Sequence, residues 1–134
     1  MAGDALKDAR ILVVDDETDS LELVRMVLAD AGAAVTAATS AKEALAARGP
    51  FDLVVSDIGM PNMDGYALLP AIRSTDWGKK LPAIALTAYA RLEDAASARR
   101  AGYEEHLPKP VDPKHLIRAV ARCVRRGAGP HEGA

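Results

Sequence analysis

Short, largely apolar segments that end abruptly at polar residues are the feature that most restricts the fold of this chain. Residues 10–14 (RILVV) stop at Asp15, residues 51–56 (FDLVVS) stop at Asp57, and residues 81–86 (LPAIAL) form a third such segment. Apolar, β-branched segments without strict alternation are typical of strands buried on both faces of a parallel sheet. We therefore predict strands at these three places.

Helical periodicity separates the predicted strands. Leu21, Val24 and Leu28 recur at helical spacing before Gly32, a residue suited to ending a helix. The predicted strands are 10–14, 33–38, 51–56, 81–86 and 103–107, the second weak and the fifth at a sheet edge. The predicted helices are 18–31, a segment from the N-cap Ser40 to near Gly49, a segment carrying Leu68–Ile72 that Asp64 caps and Pro70 bends, 92–101, and 112–126.

Alternation of five strands with five helices predicts an α/β fold, with a doubly wound parallel sheet and helices on both faces. The strand order 2-1-3-4-5 of flavodoxin-like (βα)5 folds suits this length. We take that order from known folds and do not derive it from the sequence pattern. In it, ligands bind beyond the carboxyl ends of the strands, at the switch point between strands 1 and 3.

Composition narrows the class of protein. The chain has 134 residues, a net charge of −2 and one cysteine, Cys123, so we expect a single domain without an internal disulfide. The acidic balance makes nucleic acid an unlikely partner, and no apolar segment approaches the roughly 20 residues of a membrane span. We expect a cytoplasmic protein with a leader at 1–8, a domain at 9–126 and a disordered tail at 127–134.

Acidic side chains follow the two strands that flank the predicted switch point. Asp15 and Asp16 follow strand 1 and Asp57 follows strand 3, so three carboxylates should converge. Their mutual repulsion calls for a counter-ion, and oxygen ligands suit Mg²⁺, with Mn²⁺ as the alternative, better than zinc or copper. Magnesium in turn favours phosphate oxygens as further ligands, which indicates phosphate chemistry.

A hydroxyl and an ammonium group are expected at the same edge of the sheet. Thr87 follows strand 4 and Lys109 follows strand 5. Taken singly, such residues are more often a helix cap and a surface lysine, but their joint placement favours a site. Carboxylates, a metal ion, a lysine and a threonine suffice to transfer a phosphoryl group onto an aspartate.

The motifs in this order resemble the receiver domain of bacterial two-component response regulators. The motifs that carry the resemblance are Asp15-Asp16, Asp57 with Met60-Pro61 and Met63-Asp64-Gly65, Thr87-Ala88, and Lys109-Pro110. They span about residues 9–126. The sequences of segments 56–61 and 101–110 are similar to those of receivers attached to hybrid histidine kinases. The chain is therefore either a stand-alone regulator or a receiver excised from a larger protein, and this similarity slightly favours the second.

The resemblance implies a role for each site residue. Asp57 would accept a phosphoryl group from the phosphohistidine of a sensor histidine kinase or histidine phosphotransfer protein. Asp16 would bind Mg²⁺ directly, Asp15 would bind it through water, and the carbonyl of Gly59 would complete the ligand set. Lys109 would contact both Asp57 and the phosphate, with a cis bond to Pro110. Such a domain is a phosphoacceptor module rather than an enzyme, and assists its own phosphorylation and dephosphorylation.

The resemblance also implies a switch that changes the surface around strands 4 and 5 and the last helix. Thr87 would move toward the phosphoryl group, His106 occupies the position where the family often has an aromatic residue, and Tyr89 would shape the mouth of the site. A basic ridge on the last helix, which we define as Lys114, Arg118, Arg122 and Arg126, is either a solvated face or a contact with an acidic partner or a second copy.

Two other functions use similar sheets. An aspartate-nucleophile phosphohydrolase usually has a second aspartate two residues after the nucleophile, where this chain has Gly59. A flavodoxin-like nucleotide carrier needs a phosphate-binding loop rich in Gly, Ser and Thr after strand 1, where the acidic residues 15–17 would repel phosphate. We therefore favour the phosphoacceptor module.

Overall fold

The structure is a computed structural model that describes residues 5–47, 49–58, 65–87, 99–100 and 102–132, with the backbone alone for 65–67 and 125–132. Five parallel strands form one sheet in the order β2-β1-β3-β4-β5, as predicted. The strands are β1 (Arg10–Val14), β2 (Ala34–Ala38), β3 (Leu53–Asp57), β4 (Ala83–Thr87) and β5 (Glu105–Pro108). The helices are α1 (Thr18–Asp30), α2 (Ala41–Ala46), α3 (Gly65–Arg73) and the last helix, Pro113–Glu132.

Two apolar cores lie on opposite faces of the sheet, which makes the fold doubly wound. On one face α1 and the last helix contribute Leu28 and Leu116, and on the other face α3 contributes Leu69 and Ile72. The apolar side chains of β1, β3 and β4 alternate between the two cores, because successive strand residues point to opposite faces. The three central strands, β1, β3 and β4, are therefore buried on both faces, as we predicted for β1.

Local signals mark the end of α1 and the start of α2. Ser40 caps α2 by accepting a hydrogen bond from the Glu43 amide at 3.1 Å. Gly32 follows α1 with a φ of 104°, a left-handed conformation that glycine adopts without strain. Pro70 lies inside α3, as predicted. Most of the predicted helix at 92–101, and the proposed cap Asp64, lie outside the described residues.

Both chain ends differ from the prediction. Leu6, which we assigned to a leader, is buried and donates its amide to the Ala31 carbonyl at 2.8 Å, so the core begins before residue 9. The last helix continues past Arg126, where we predicted its end. Its backbone is helical to Glu132, across the segment predicted to be disordered. The backbone stays helical although Gly127, Gly129 and Pro130 are poor helix formers, so low helix propensity alone does not end this helix.

Strands β3 and β4 each begin two residues later than predicted. Phe51 and Asp52 precede β3, and Leu81 and Pro82 precede β4, although we predicted strand at all four. Proline cannot donate a hydrogen bond to the β ladder, so β4 begins only after Pro82.

Among the helices that the structure describes, none is long and apolar enough to cross a membrane.

Candidate functional site

The register of the central strands brings acidic residues together. Val14 of β1 pairs with Ser56 of β3, so the next residues, Asp15 and Asp57, lie level at the carboxyl ends of the two strands. One carboxylate oxygen from each of Asp15, Asp16 and Asp57 lies within 4.8 Å of the others. The predicted convergence of the three acidic side chains is therefore present.

Strand alternation explains why one lysine joins this group. Val13, Val55 and Leu107 pack in the core beneath α1 and the last helix. Asp15, Asp57 and Lys109 lie two residues beyond them, and residues two apart on a strand share a face. The carboxyl ends of three different strands thus direct two carboxylates and one ammonium to the same side of the sheet.

Lys109 contacts three carboxylates. Its Nζ lies 2.8 Å from Asp15 Oδ2, 3.1 Å from Asp57 Oδ2 and 3.6 Å from Glu17 Oε1. The Lys109 amide also donates to the Thr87 carbonyl at 2.7 Å, which extends the β4–β5 ladder by one step. The bond between Lys109 and Pro110 is cis, as the family resemblance implied.

Burial and charge act in opposite directions on Lys109. Burial of the ammonium is the largest single influence and lowers its pKa, but the contacts with Asp15 and Asp57 together outweigh it and raise the pKa above the ordinary value of 10.5. Lys109 is therefore a fixed positive charge at neutral pH. Its side chain is only 14% exposed, so the ion pairs are screened less than those on the surface.

The donor set fits a hard divalent cation. Asp15 is fully buried, and its Oδ1 accepts a hydrogen bond from the Glu17 amide at 2.9 Å. Within the described part of the chain, its Oδ2 has no donor with hydrogen-bond geometry, although Lys109 lies at 2.8 Å. Buried carboxylate oxygens beside the exposed Asp16 leave an excess of negative charge that one ammonium does not neutralise.

Two of the predicted switch residues, Thr87 and His106, lie in the described part of the chain. Thr87 is buried at the end of β4, and the register pairs His106 with Ala85, two residues before it. Leu107 faces the core of α1, so the half-buried His106 faces the other side of the sheet, as Thr87 does. Gly59 and Tyr89 lie outside the described residues.

The basic ridge of the last helix is only partly available to a partner. Arg122 forms a two-pronged ion pair with Glu105 of β5, with a closest distance of 2.7 Å. Lys114 and Arg118 are exposed, whereas the structure does not describe the side chain of Arg126. Cys123 is buried in the core.

Two contacts were missed in reading the sequence. We did not predict that Lys109 lies closer to Asp15 than to Asp57, or that Glu17 approaches Lys109. The signal for Glu17 was its position directly after the acidic pair, where it begins the helix that follows β1. Side-chain distances between strands depend on register and rotamer, which spacing along the chain does not reveal.

Comparison with known proteins agrees with this fold and site. Residues 11–121 match the family described as response regulator receiver domain. The chain belongs to this family, so it is a signalling module of the two-component type.

Relatives and solved structures place the chain more closely. It is 54% identical over 112 residues, 82% of this chain and 86% of the relative, to an uncharacterized 14.6 kDa protein in the sodA1 3′ region of Leptolyngbya boryana. It is 36% identical to the sensor histidine kinase GacS of Pseudomonas protegens, over 93% of this chain but only 14% of that protein. Its structure is similar to a putative response regulator from Chloroflexus aurantiacus, with a TM-score of 0.83, 32% identity, and coverage of 90% of this chain and 100% of that one.

Proposed function

We propose that this chain is the phosphoacceptor domain of a two-component phosphorelay, in which Asp57 receives a phosphoryl group from a phosphohistidine. The observation that carries the proposal is the contact of Lys109 with both Asp57 and Asp15, beside the exposed Asp16. In the transfer, a bond forms between an Asp57 oxygen and phosphorus while the phosphorus–nitrogen bond of the donor breaks. The electron pair of that bond stays on the donor imidazole.

Asp15, Asp16, Asp57 and the carbonyl of Gly59 would hold Mg²⁺. When bound, Mg²⁺ would offset the negative charge of these carboxylates and of the phosphoryl oxygens. Mn²⁺ accepts the same oxygen ligands and would substitute for it. The clustering of three carboxylate oxygens within 4.8 Å supports a divalent cation at this place.

Lys109 and Thr87 act on the transferred group in this proposal. The ammonium of Lys109 already contacts Asp57 and would pair with a phosphoryl oxygen, which disperses the charge of the transition state. The hydroxyl of Thr87 would donate a hydrogen bond to the phosphoryl group and draw the loop after β4 toward it. His106 and Tyr89 would transmit or tune that movement, which would change the surface of β4, β5 and the last helix.

A sensor histidine kinase or a histidine phosphotransfer protein would be the partner. The similarity to part of GacS supports a receiver like those of hybrid kinases, and the similarity to the Leptolyngbya protein, covered over most of its length, supports a stand-alone regulator. We propose that the domain works in the cytoplasm, that phosphorylation alters any self-association into homodimers, and that it accepts phosphoryl groups without turning over a substrate of its own.

Phosphorylation of the intact chain tests this function. We expect incubation with Mg²⁺ and acetyl phosphate to add the mass of one phosphoryl group, because the donor, the acceptor oxygen, Mg²⁺ and Lys109 together suffice for the chemistry. Intact-protein mass spectrometry measures the gain, and a sample with EDTA in place of Mg²⁺ serves as the control. An unchanged mass at saturating donor and Mg²⁺ would contradict the proposal.

Replacement of Asp16 by Ala is expected to raise the Mg²⁺ dissociation constant about 10- to 100-fold, because even residues that only support metal ligands cost that much when they are lost. Isothermal titration calorimetry is the suitable measurement. Fluorescence of Trp77 is a poor reporter of Mg²⁺ binding, because Trp77 lies in the loop that precedes β4, at the amino ends of the strands. There it packs against Phe51, with ring centroids 5.4 Å apart.

The matched control is Asp19→Ala, which removes another exposed carboxylate, from the first turn of α1. Its Mg²⁺ affinity should stay close to that of the wild type. Equal affinities for Asp16→Ala and the wild type would remove Asp16 from the metal site.

A further inference from the structure

Glu17 has a backbone position that the site itself determines. It follows the acidic pair directly and is the N-cap residue of α1, with a φ of −91° and a ψ of 109°. Its amide donates to Asp15 Oδ1 at 2.9 Å, so the buried carboxylate orients this residue. The first atoms of the Glu17 side chain are therefore held next to the candidate phosphoacceptor site.

The side chain of Glu17 does not serve the helix that it begins. It forms no capping hydrogen bond within the described chain, and glutamate is not among the residues that N-caps favour. Its Oε1 lies instead 3.6 Å from Lys109 Nζ, with 66% of the side chain exposed. The carboxylate thus lies at the solvent side of the ammonium that contacts Asp15 and Asp57.

The charge around Lys109 is strongly negative. The described residues of the site include four carboxylates, those of Asp15, Asp16, Glu17 and Asp57, against the single ammonium. The proposed Mg²⁺ would interact mainly with the three clustered aspartates, while Glu17 stays at the mouth. An incoming phosphodonor is an anion, so it must approach a like charge there.

We propose that Glu17 determines donor specificity by slowing phosphorylation of Asp57 by free, dianionic phosphodonors. This inference rests on the proposed function. It assigns to Glu17 neither metal binding nor contact with the transferred group, but repulsion of small anionic donors that bring no positive charge of their own. The size of the repulsion must grow with the charge of the donor and fall with ionic strength.

Initial rates of phosphorylation with two small donors test the inference. Acetyl phosphate is a dianion at neutral pH and phosphoramidate carries less net negative charge, so the two separate charge from other effects. At saturating Mg²⁺ and about 0.1 M salt, Glu17→Gln should accelerate the reaction with acetyl phosphate about threefold and Glu17→Lys about tenfold, as screened Coulomb repulsion over several Å implies. With phosphoramidate, Glu17→Gln should accelerate the reaction about twofold. At about 1 M salt the accelerations with both donors should nearly disappear.

The matched control is Asp30→Asn, which removes the same charge from an exposed residue at the other end of α1 and should leave both rates unchanged. Equal rates for Glu17→Gln and the wild type would overturn the inference, as would an acceleration that is the same for both donors and insensitive to salt. If the wild type gains no phosphoryl group from either donor, the proposed function itself fails. A wild type that reacts normally while the Glu17 variants match it refutes only the specificity role.

Discussion

Replacement of Asp57 by Asn is expected to abolish phosphorylation of this chain by acetyl phosphate in the presence of Mg²⁺. The amide has nearly the same shape as the carboxylate but lacks the anionic oxygen that attacks phosphorus. Asp57 is the carboxylate that contacts Lys109 at 3.1 Å and clusters with Asp15 and Asp16. Mass spectrometry of the intact variant should therefore find only the unmodified chain.

The matched control for this experiment is Asp76→Asn. Asp76 is fully exposed in the loop that precedes β4, at the amino ends of the strands, whereas Asp57 lies at the carboxyl end of β3. Its replacement by Asn changes the net charge by the same amount as Asp57→Asn. This variant should be phosphorylated like the wild type. A phosphoryl group on Asp57→Asn would place the acceptor elsewhere, and peptide mapping would identify the residue that carries it.

Replacement of Lys109 by Met should lower the free energy of unfolding by about 3 kcal/mol at neutral pH without Mg²⁺. Asp15 is fully buried and Asp57 nearly so, and Lys109 is their cationic neighbour. Removing one partner of a buried ion pair leaves uncompensated charge, at a cost of about 3–5 kcal/mol when burial is complete. The partial exposure of Lys109 argues for the lower end of that range.

Urea denaturation of the wild type and of Lys109→Met measures this difference in the free energy of unfolding. The exposed Lys79, whose Nζ lies 3.9 Å from the fully exposed Asp76, provides the control variant Lys79→Met, which should stay close to the wild type. Addition of Mg²⁺ should stabilise Lys109→Met more than the wild type, because both cations offset the same carboxylates. Equal stability of Lys109→Met and the wild type would show that the contacts of Lys109 do not stabilise the fold.

The pH dependence of this stabilisation has a definite sign. Because the pKa of Lys109 is raised in the folded chain, its contribution is fully present below the ordinary lysine value of 10.5. The contribution disappears as the pH rises through the raised pKa. The stability curves of the wild type and Lys109→Met should therefore converge only in strongly alkaline solution.

The fold was predictable because its main signals are local. The apolar segment of β1 and its counterparts in β3 and β4 each indicate a strand buried on both faces, and Gly32 and Ser40 mark helix ends. These signals work because apolar patterning and helix capping involve residues that are neighbours along the chain. The strand order came from analogy with known folds, and the family match and the observed sheet agree with it.

Errors occurred where local signals were weak or contradicted. Leu6 lies in a polar segment, and only its packing beneath the end of α1 reveals that it belongs to the core. Glycine and proline after Gly127 indicated disorder, yet the helix backbone continues to Glu132. In each case the outcome differs from what the residue types along the segment indicate.

The residues of the site and the edge of the sheet where they meet can be derived from the chain alone, because parallel strands bring their carboxyl ends together. The distances between their side chains cannot. Lys109 lies 2.8 Å from Asp15 and 3.1 Å from Asp57, while Glu17 reaches the same ammonium from the start of α1. Those contacts join segments far apart in the chain, so strand register, burial and rotamer choice in the folded molecule decide them.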